Sequence, residues 1–90
     1  MALTAQVSLY PLRQPHLSAA IHQALEIFRG HGLEVVPGAM SSLVIGEDEI
    51  VFAALKEAFQ ATSQQGDVVM VVTLSNACPL PERGESAGGS

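Results

Sequence analysis

The sequence has few basic residues and a single cysteine. Only four of its 90 residues are Lys or Arg, against nine Asp and Glu, and the formal net charge is −5. So few cations cannot build a surface that neutralises phosphates, so we expect neither nucleic acid nor an anionic membrane as a partner. The lone Cys78 cannot form a disulfide within the chain, which favours a cytoplasmic location.

Signals for export and membrane insertion are also missing from the sequence. Residues 1–6 have no basic segment followed by a long apolar run, so no signal peptide is expected. No apolar run approaches the roughly 20 residues of a membrane-spanning helix. Both observations agree with a cytoplasmic protein.

Recognisable catalytic and metal-binding patterns are equally scarce. Cys78 has no partner residue at a familiar spacing, and His16, His22 and His31 are too irregularly spaced to share one helical face. There is no G-x-S-x-G motif and no glycine-rich phosphate loop. We therefore predict no catalytic residues, no metal site and no cofactor, and a protein that is not an enzyme.

Apolar residues, by contrast, are abundant: 48% of the chain is hydrophobic and 14% is charged. A domain this small has a large surface for its volume, so one copy cannot bury all of its apolar side chains. We therefore predict a homo-oligomer, a dimer or a tetramer.

The periodicity of these apolar residues predicts six elements. Apolar residues alternate with polar ones from Leu3 to Tyr10, as in a strand, and recur every three or four residues in two later segments, as in helices. The predicted elements are a strand over 3–10, a helix from about 17 to 28, a hairpin of 33–36 and 40–45, a helix that begins at 47–49, and a strand over 68–75. The order β-α-β-β-α-β is the ferredoxin-like α+β sandwich, a four-stranded antiparallel sheet with two helices on one face.

The last predicted strand begins with five consecutive apolar residues, Val68 to Val72. Such a run is typical of a strand that is buried on both faces. Two helices on one side leave the other face of the sheet uncovered, so a second sheet is the simplest cover. Residues 1–78 are expected to form this domain, and residues 79–90, rich in Pro, Gly, Ser and Glu, a flexible tail.

Polar side chains line one face of the first and last strands. An apolar surface with a few hydroxyls and one aromatic ring is typical of a small-molecule pocket, and equally of a sheet-to-sheet interface. The pattern leaves both readings open. The candidate ligand-binding residues are Ser8, Tyr10, Ser42, Thr73, Ser75 and Asn76.

Several segments together resemble the YkoF-like family of thiamine- and hydroxymethylpyrimidine-binding proteins. They are Val7-Ser8-Leu9-Tyr10-Pro11-Leu12, Met40-Ser41-Ser42-Leu43-Val44-Ile45-Gly46, Val51-Phe52-Ala53-Ala54 and Val69-Met70-Val71-Val72-Thr73-Leu74-Ser75-Asn76-Ala77-Cys78-Pro79. The resemblance implies the ferredoxin-like fold and sheet-to-sheet packing of two units, the second supplied by another copy. It also implies a cytoplasmic protein that binds thiamine or its pyrimidine moiety without transforming it, in thiamine uptake or salvage.

The candidate residues suit such a ligand chemically. Hydroxyls and the Asn76 amide can match the donors and acceptors of an aminopyrimidine, and Tyr10 or Phe52 can stack on its ring. The acidic Glu47 or Asp48 would favour a cationic thiazolium, although three acids in a row are more typical of a helix start.

Two other functions are compatible with the sequence. One is a self-associating protein-interaction domain without a small-molecule ligand. The other is an acylphosphatase-like enzyme, in which Arg13 would act from the loop after the first strand. The sequence lacks the glycine-rich phosphate cradle of such enzymes, and Pro11 and Pro15 stiffen that loop.

Overall fold

The computed structural model describes residues 1–13 and 17–77. The elements are β1 (Ala2–Leu12), α1 (Leu17–Gly30), β2 (Glu34–Pro37), β3 (Ser42–Glu47), α2 (Asp48–Ser63) and β4 (Asp67–Ser75). The strands form an antiparallel sheet in the order β2-β3-β1-β4, with both helices packed against one face. The ferredoxin-like α+β architecture predicted from the sequence is confirmed.

The core lies between the helices and one face of the sheet. Alternate residues of β1 point into it, and they meet the apolar stripes of both helices. The buried apolar residues of this core are Leu3, Ala5, Val7, Ala24, Phe28, Leu33, Val44, Val51, Ala54 and Ala58. The buried hydroxyl of Thr62 donates to the carbonyl oxygen of Ala58 at 2.8 Å, so α2 buries this polar group with a partner.

Strand β1 continues through Pro11, where the sequence predicted its end. Strand β3 pairs with β1 only as far as Val7, whereas β4 pairs with it through Leu12. Among the described residues, no strand therefore pairs with that side of β1 beyond Val7. A proline, which lacks the N–H group, costs no ladder hydrogen bond on that side.

The helix ends follow ordinary capping chemistry. After α1, Gly32 has a φ of 80°, its N–H donates to Arg29 O, and the N–H of Leu33 donates to Phe28 O. This left-handed turn satisfies the last carbonyls of the helix and directs the chain into β2. Helix α2 begins at Asp48, within the predicted start at 47–49, and Glu47 keeps an extended backbone as its N-cap.

Within residues 1–13 and 17–77, β4 is covered on one face only. Val69 and Val71 are 47% and 50% exposed, while Met70 and Val72 pack against the core. The sequence predicted burial of both faces of this strand, and the part of the chain that the structure describes covers only the face toward the helices.

Some predictions fall on residues outside the described ranges. They are those for Pro15, His16, Cys78 and the segment 79–90 with its boundary at residue 78.

Candidate ligand-binding site

Most of the predicted site residues lie on the face of the sheet that points away from the helices, which we call the open face. The register places Gln6 opposite Thr73, Tyr10 opposite Val69, and Thr4 opposite Ser75. Because paired residues of an antiparallel sheet share a face, the polar row of β1 and that of β4 are contiguous. The open face also carries the apolar side chains of Val36, Leu43, Ile45, Val69 and Val71.

These residues extend along the whole sheet and do not converge on one point. Tyr10 lies opposite Val69, six residues before Ser75. At about 3.3 Å per residue the two are roughly 20 Å apart, too far for one small molecule to contact both. Ser8 and Thr73 are diagonal neighbours near the middle of the sheet, so these two predicted residues on different strands lie close to each other.

Ser75 and Asn76 make local contacts at one end of the sheet. The N–H of Ala77 donates to Ser75 Oγ at 3.2 Å, and Asn76 Nδ2 donates to the sulfur of Met1 at 3.4 Å. Both polar groups therefore already have partners near the start of β1.

The acidic residues at the same end pair with the amino terminus. The Met1 ammonium lies 2.9 Å from Glu47 Oε1 and 3.3 Å from Asp48 Oδ1. The hydrogen bonds that this ammonium donates to Glu47 and, with a smaller effect, to Asp48 raise its pKa above the usual value of 8.0. The carboxylates that the sequence offered to a cationic ligand are thus engaged by the protein's own cation.

Ser42 lies on the opposite face from the other candidates. It pairs with Val7, which is buried in the core, so its side chain points toward the helices. The sequence correctly placed Ser42 beside the first strand, but it did not determine on which face. A role in ligand binding stays a prediction for all six residues.

Ser42 lies instead at a cleft on the helix side of the sheet. The cleft is bounded by α1, by the second half of β1 and by the loop of residues 38–41 that joins β2 to β3, which we call the cleft loop. Its cavity volume is about 80 Å³, and the cleft opens to solvent. Its lining residues are Val7, Leu9, Ile21, Ala24, Leu25, Phe28, Gly38, Ala39, Met40, Ser41 and Ser42.

The cleft is an apolar site with a polar rim. Phe28 is 1% exposed and presents the only aromatic ring among the described lining residues, whereas Met40 is 78% exposed at the cleft loop. Ser42 and the peptide groups of the cleft loop supply the polar atoms. The lining is made of apolar and hydroxyl side chains, a composition that suits a neutral flat ring.

The shape of the cleft loop depends on Gly38. A Cβ atom on Gly38 would lie 2.6 Å from the carbonyl oxygen of Ser41. Backbone so close to backbone leaves no room for any other residue unless the loop moves. The loop is also tied to the open face, because Gln6 Nε2 donates a hydrogen bond to Ser41 Oγ at 3.1 Å.

The sequence did not single out the cleft. Phe28 was assigned to the core stripe of α1, and Met40 to a strand that in fact begins at Ser42. Cleft residues come from α1, β1 and the cleft loop, which are distant in sequence, so no local spacing connects them. The one available signal was an unusually apolar loop residue, Met40, between two short strands.

Two side-chain contacts outside the cleft connect neighbouring elements of the fold. Arg13, in a left-handed conformation with φ of 57°, pairs with Asp67 at 2.8 Å and joins the end of β1 to the start of β4. Its guanidinium is therefore used between strands. His31 Nε2 lies 2.7 Å from Glu57 Oε1 and links the two helices.

Within the described ranges, no group of three or more His, Cys, Asp or Glu side chains could hold a metal ion. Neither α1 nor α2, the helices of those ranges, has the length and apolar character needed to cross a membrane.

The fold and the cleft define a class of protein, a small ferredoxin-like α+β domain with an apolar cleft beside its first helix. The model of the YKOF-related family matches residues 2–81, and the chain belongs to this family. The resemblance noted in the sequence is thereby confirmed. No curated protein matches the sequence.

Solved structures from three organisms share the fold. A hypothetical protein of Methanocaldococcus jannascii is 26% identical with a TM-score of 0.76, and the match covers 98% of this chain and 87% of that one. A Streptococcus pneumoniae protein is 22% identical with a TM-score of 0.76, over 83% and 86% of the two chains. A Thermotoga maritima protein, whose name proposes a role in thiamine biosynthesis or salvage, is 21% identical with a TM-score of 0.73, over 82% of each chain.

Proposed function

We propose that this protein binds thiamine or its hydroxymethylpyrimidine moiety, without transforming it, in the cleft beside α1. Membership of the YKOF-related family supports a thiamine-related ligand, as does the name of the Thermotoga maritima protein of the same fold. The observation that carries the proposal is the cleft itself, an apolar concavity with hydroxyl and peptide groups at its rim, as is typical of small-molecule sites.

The lining of the cleft favours the pyrimidine half of thiamine over the thiazolium half. A neutral aminopyrimidine can lie against the apolar lining and exchange hydrogen bonds with Ser42 and the peptide groups of the cleft loop. A cation there would gain nothing from Glu47, which lies five residues along β3 from Ser42, about 17 Å at ~3.3 Å per residue. Apolar and hydroxyl side chains hold such a ring but are poor at proton transfer, which supports a binder rather than an enzyme.

We further propose that a second copy of the chain covers the open face. Val69, Val71 and Tyr10 are each between 45% and 50% exposed there. A contiguous, exposed apolar surface on neighbouring strands is typical of an interface between subunits. Sheet-to-sheet packing in a dimer, or in a tetramer built from two dimers, would bury it.

In the cell, a binder without catalysis would act in thiamine uptake or salvage, holding the ligand for a transporter or an enzyme. A cytoplasmic location is part of this proposal. Cell fractionation with an antibody to the chain tests it, and recovery in the periplasmic or medium fraction would contradict it.

Isothermal titration of the purified protein with hydroxymethylpyrimidine and, separately, with thiamine tests the ligand. Saturable binding of hydroxymethylpyrimidine at micromolar concentration, with thiamine no tighter, is the expected result. The variant Ser42→Ala should weaken binding by about two- to tenfold, the loss of one net hydrogen bond, while Ser75→Ala should leave it unchanged. The reverse pattern would move the site to the open face, and heat from neither compound at high micromolar concentration would refute the proposal.

The exposed apolar residues of the open face also favour a second candidate function, a self-associating interaction domain without a ligand. Under this alternative the protein still dimerises but no thiamine-related compound binds. The titration therefore separates the two functions.

A further inference from the structure

One hydrogen bond connects the two surfaces of the sheet. Gln6 lies on the open face, opposite Thr73, and its Nε2 donates to Ser41 Oγ at 3.1 Å. Ser41 belongs to the cleft loop, whose residues line the cleft on the helix side. A side chain of the proposed dimer face thus holds the edge of the proposed ligand site.

Gln6 is placed where a second copy would cover it. Strand β1 is one of the two central strands in the order β2-β3-β1-β4, and Gln6 lies between Leu43 of β3 and Thr73 of β4. It is exposed in a single chain. Any sheet packed over the middle of the open face must exclude water from its amide.

Excluding water changes how strongly this hydrogen bond stabilises one conformation of the cleft loop. While Gln6 is exposed, water competes for both Nε2 and Ser41 Oγ, and the bond constrains the cleft loop only weakly. Once the amide is buried, an unmade hydrogen bond leaves a polar group without a partner, so the bond to Ser41 becomes strongly preferred. Because Ser41 is part of the cleft loop, holding its side chain restricts the conformations open to the loop.

We infer that Gln6 is a positioning residue that couples dimerisation through the open face to the conformation of the cleft loop, and so to ligand binding. This inference rests on the proposed function, since it needs both the dimer and the cleft. Coupling of this kind is reciprocal: a dimer that orders the loop binds ligand more tightly, and a bound ligand tightens the dimer by the same factor.

The test measures the cleft loop first in the absence of ligand. Amide hydrogen exchange of residues 39–42 is followed over a range of protein concentrations, with the dimer fraction measured in parallel by sedimentation. Two variants are compared with the unchanged chain. Gln6→Leu removes the hydrogen bond and leaves an apolar side chain that keeps the face able to dimerise, whereas Val71→Thr weakens the face and leaves the hydrogen bond intact.

In the unchanged chain, protection of the loop amides should rise about two- to tenfold as the dimer forms, the range for one net hydrogen bond. In Gln6→Leu the dimer should form without that rise. In Val71→Thr the rise should move to higher protein concentration together with dimerisation. The inference would be overturned by loop protection that does not change with the dimer fraction. A chain that stays monomeric, or a normal rise in protection in Gln6→Leu, would overturn it as well.

Titration of the same variants with hydroxymethylpyrimidine separates this inference from the proposed function. If the loop follows the dimer but no ligand binds, the coupling stands and the ligand proposal fails. If ligand binds equally well to monomer and dimer, the ligand proposal stands and the coupling fails.

Discussion

The two faces of the sheet are built from alternating residues of the same four strands, yet they differ sharply in what covers them. On the helix side, Leu3, Ala5 and Val7 of β1 are buried by α1 and α2. On the open face, the intervening residues of β1 and Val69 and Val71 of β4 remain accessible. One face therefore accounts for the stability of the single chain, and the other is available to a partner.

The cleft lies where the cover of the helix side is incomplete. Ile21 of α1 faces the cleft and stays exposed, while Phe28, two turns later, is buried. The helix side is thus closed at one end of α1 and open toward the cleft loop. Residues on this side contribute to core packing, to the proposed ligand binding or to both. Substitutions can therefore be chosen to test each contribution separately.

The largest expected difference between the faces is in stability. Replacing Phe28 by Ala removes a fully buried ring and should lower the free energy of unfolding by about 3–5 kcal/mol. Replacing Tyr10 by Ala on the open face should cost less than about 1 kcal/mol in the monomer. Denaturant unfolding at a concentration where the chain is monomeric measures both, and equal losses would mean that the open face is packed within one chain.

The next effect is on self-association. A charge introduced by Val71→Asp would meet its own copy across a two-fold interface, so the dimer should weaken by at least about 100-fold. Sedimentation equilibrium measures this change. The same charge added by Gln60→Asp on exposed α2 should leave association unaltered, and a dimer insensitive to Val71→Asp would place the interface elsewhere.

A smaller effect is expected at the cleft loop. The added methyl of Gly38→Ala would lie 2.6 Å from the Ser41 carbonyl oxygen, so the loop must shift, with a loss of about 1–3 kcal/mol of stability and weaker binding of hydroxymethylpyrimidine. Gly30→Ala is the matched control, because nothing lies within 4 Å of its added methyl. Unfolding and titration of both variants provide the check, and unaltered ligand binding in Gly38→Ala would remove the loop from the site.

The smallest expected effect is on the pH dependence of stability, at the end of the sheet near Met1. Because its amine has a raised pKa in the folded state, its ion pairs with Glu47 and Asp48 stabilise the fold fully below the unfolded pKa of about 8. That contribution is lost as pH rises through the raised folded value. Unfolding between pH 7 and 10 should therefore show a slight decline that is absent from a Glu47→Gln, Asp48→Asn double variant, and identical slopes would contradict the role of the pair.

Much of the fold could be predicted because it depends on short-range patterns. Alternation in β1 and the three- and four-residue spacing in α1 and α2 are visible in any window of about ten residues. Pro11 shows the limit of such patterns. Whether a proline ends a strand depends on which neighbouring strand still pairs with it. At Pro11 this is decided by the tertiary structure, in which the pairing of β3 with β1 stops at Val7.

The candidate site was harder to predict, because it too depends on which residues of neighbouring strands pair. The polar row was correctly assigned to neighbouring strands, but the distance from Tyr10 to Ser75 became clear only from the register. Ser42 was expected near the others and lies on the opposite face, since the face depends on where β3 begins. A shift of one residue in that start reverses every side chain of the strand.

The sequence by itself determined the order of elements, the family and the excess of apolar residues over what one small domain can bury, because these are properties of composition and local period. Only the tertiary structure decided that the open face and the cleft are separate surfaces, joined through Gln6 and Ser41. That separation depends on strand pairing between residues distant along the chain. Contacts of that kind are set by packing of the whole sheet against its helices and leave no local trace in the sequence.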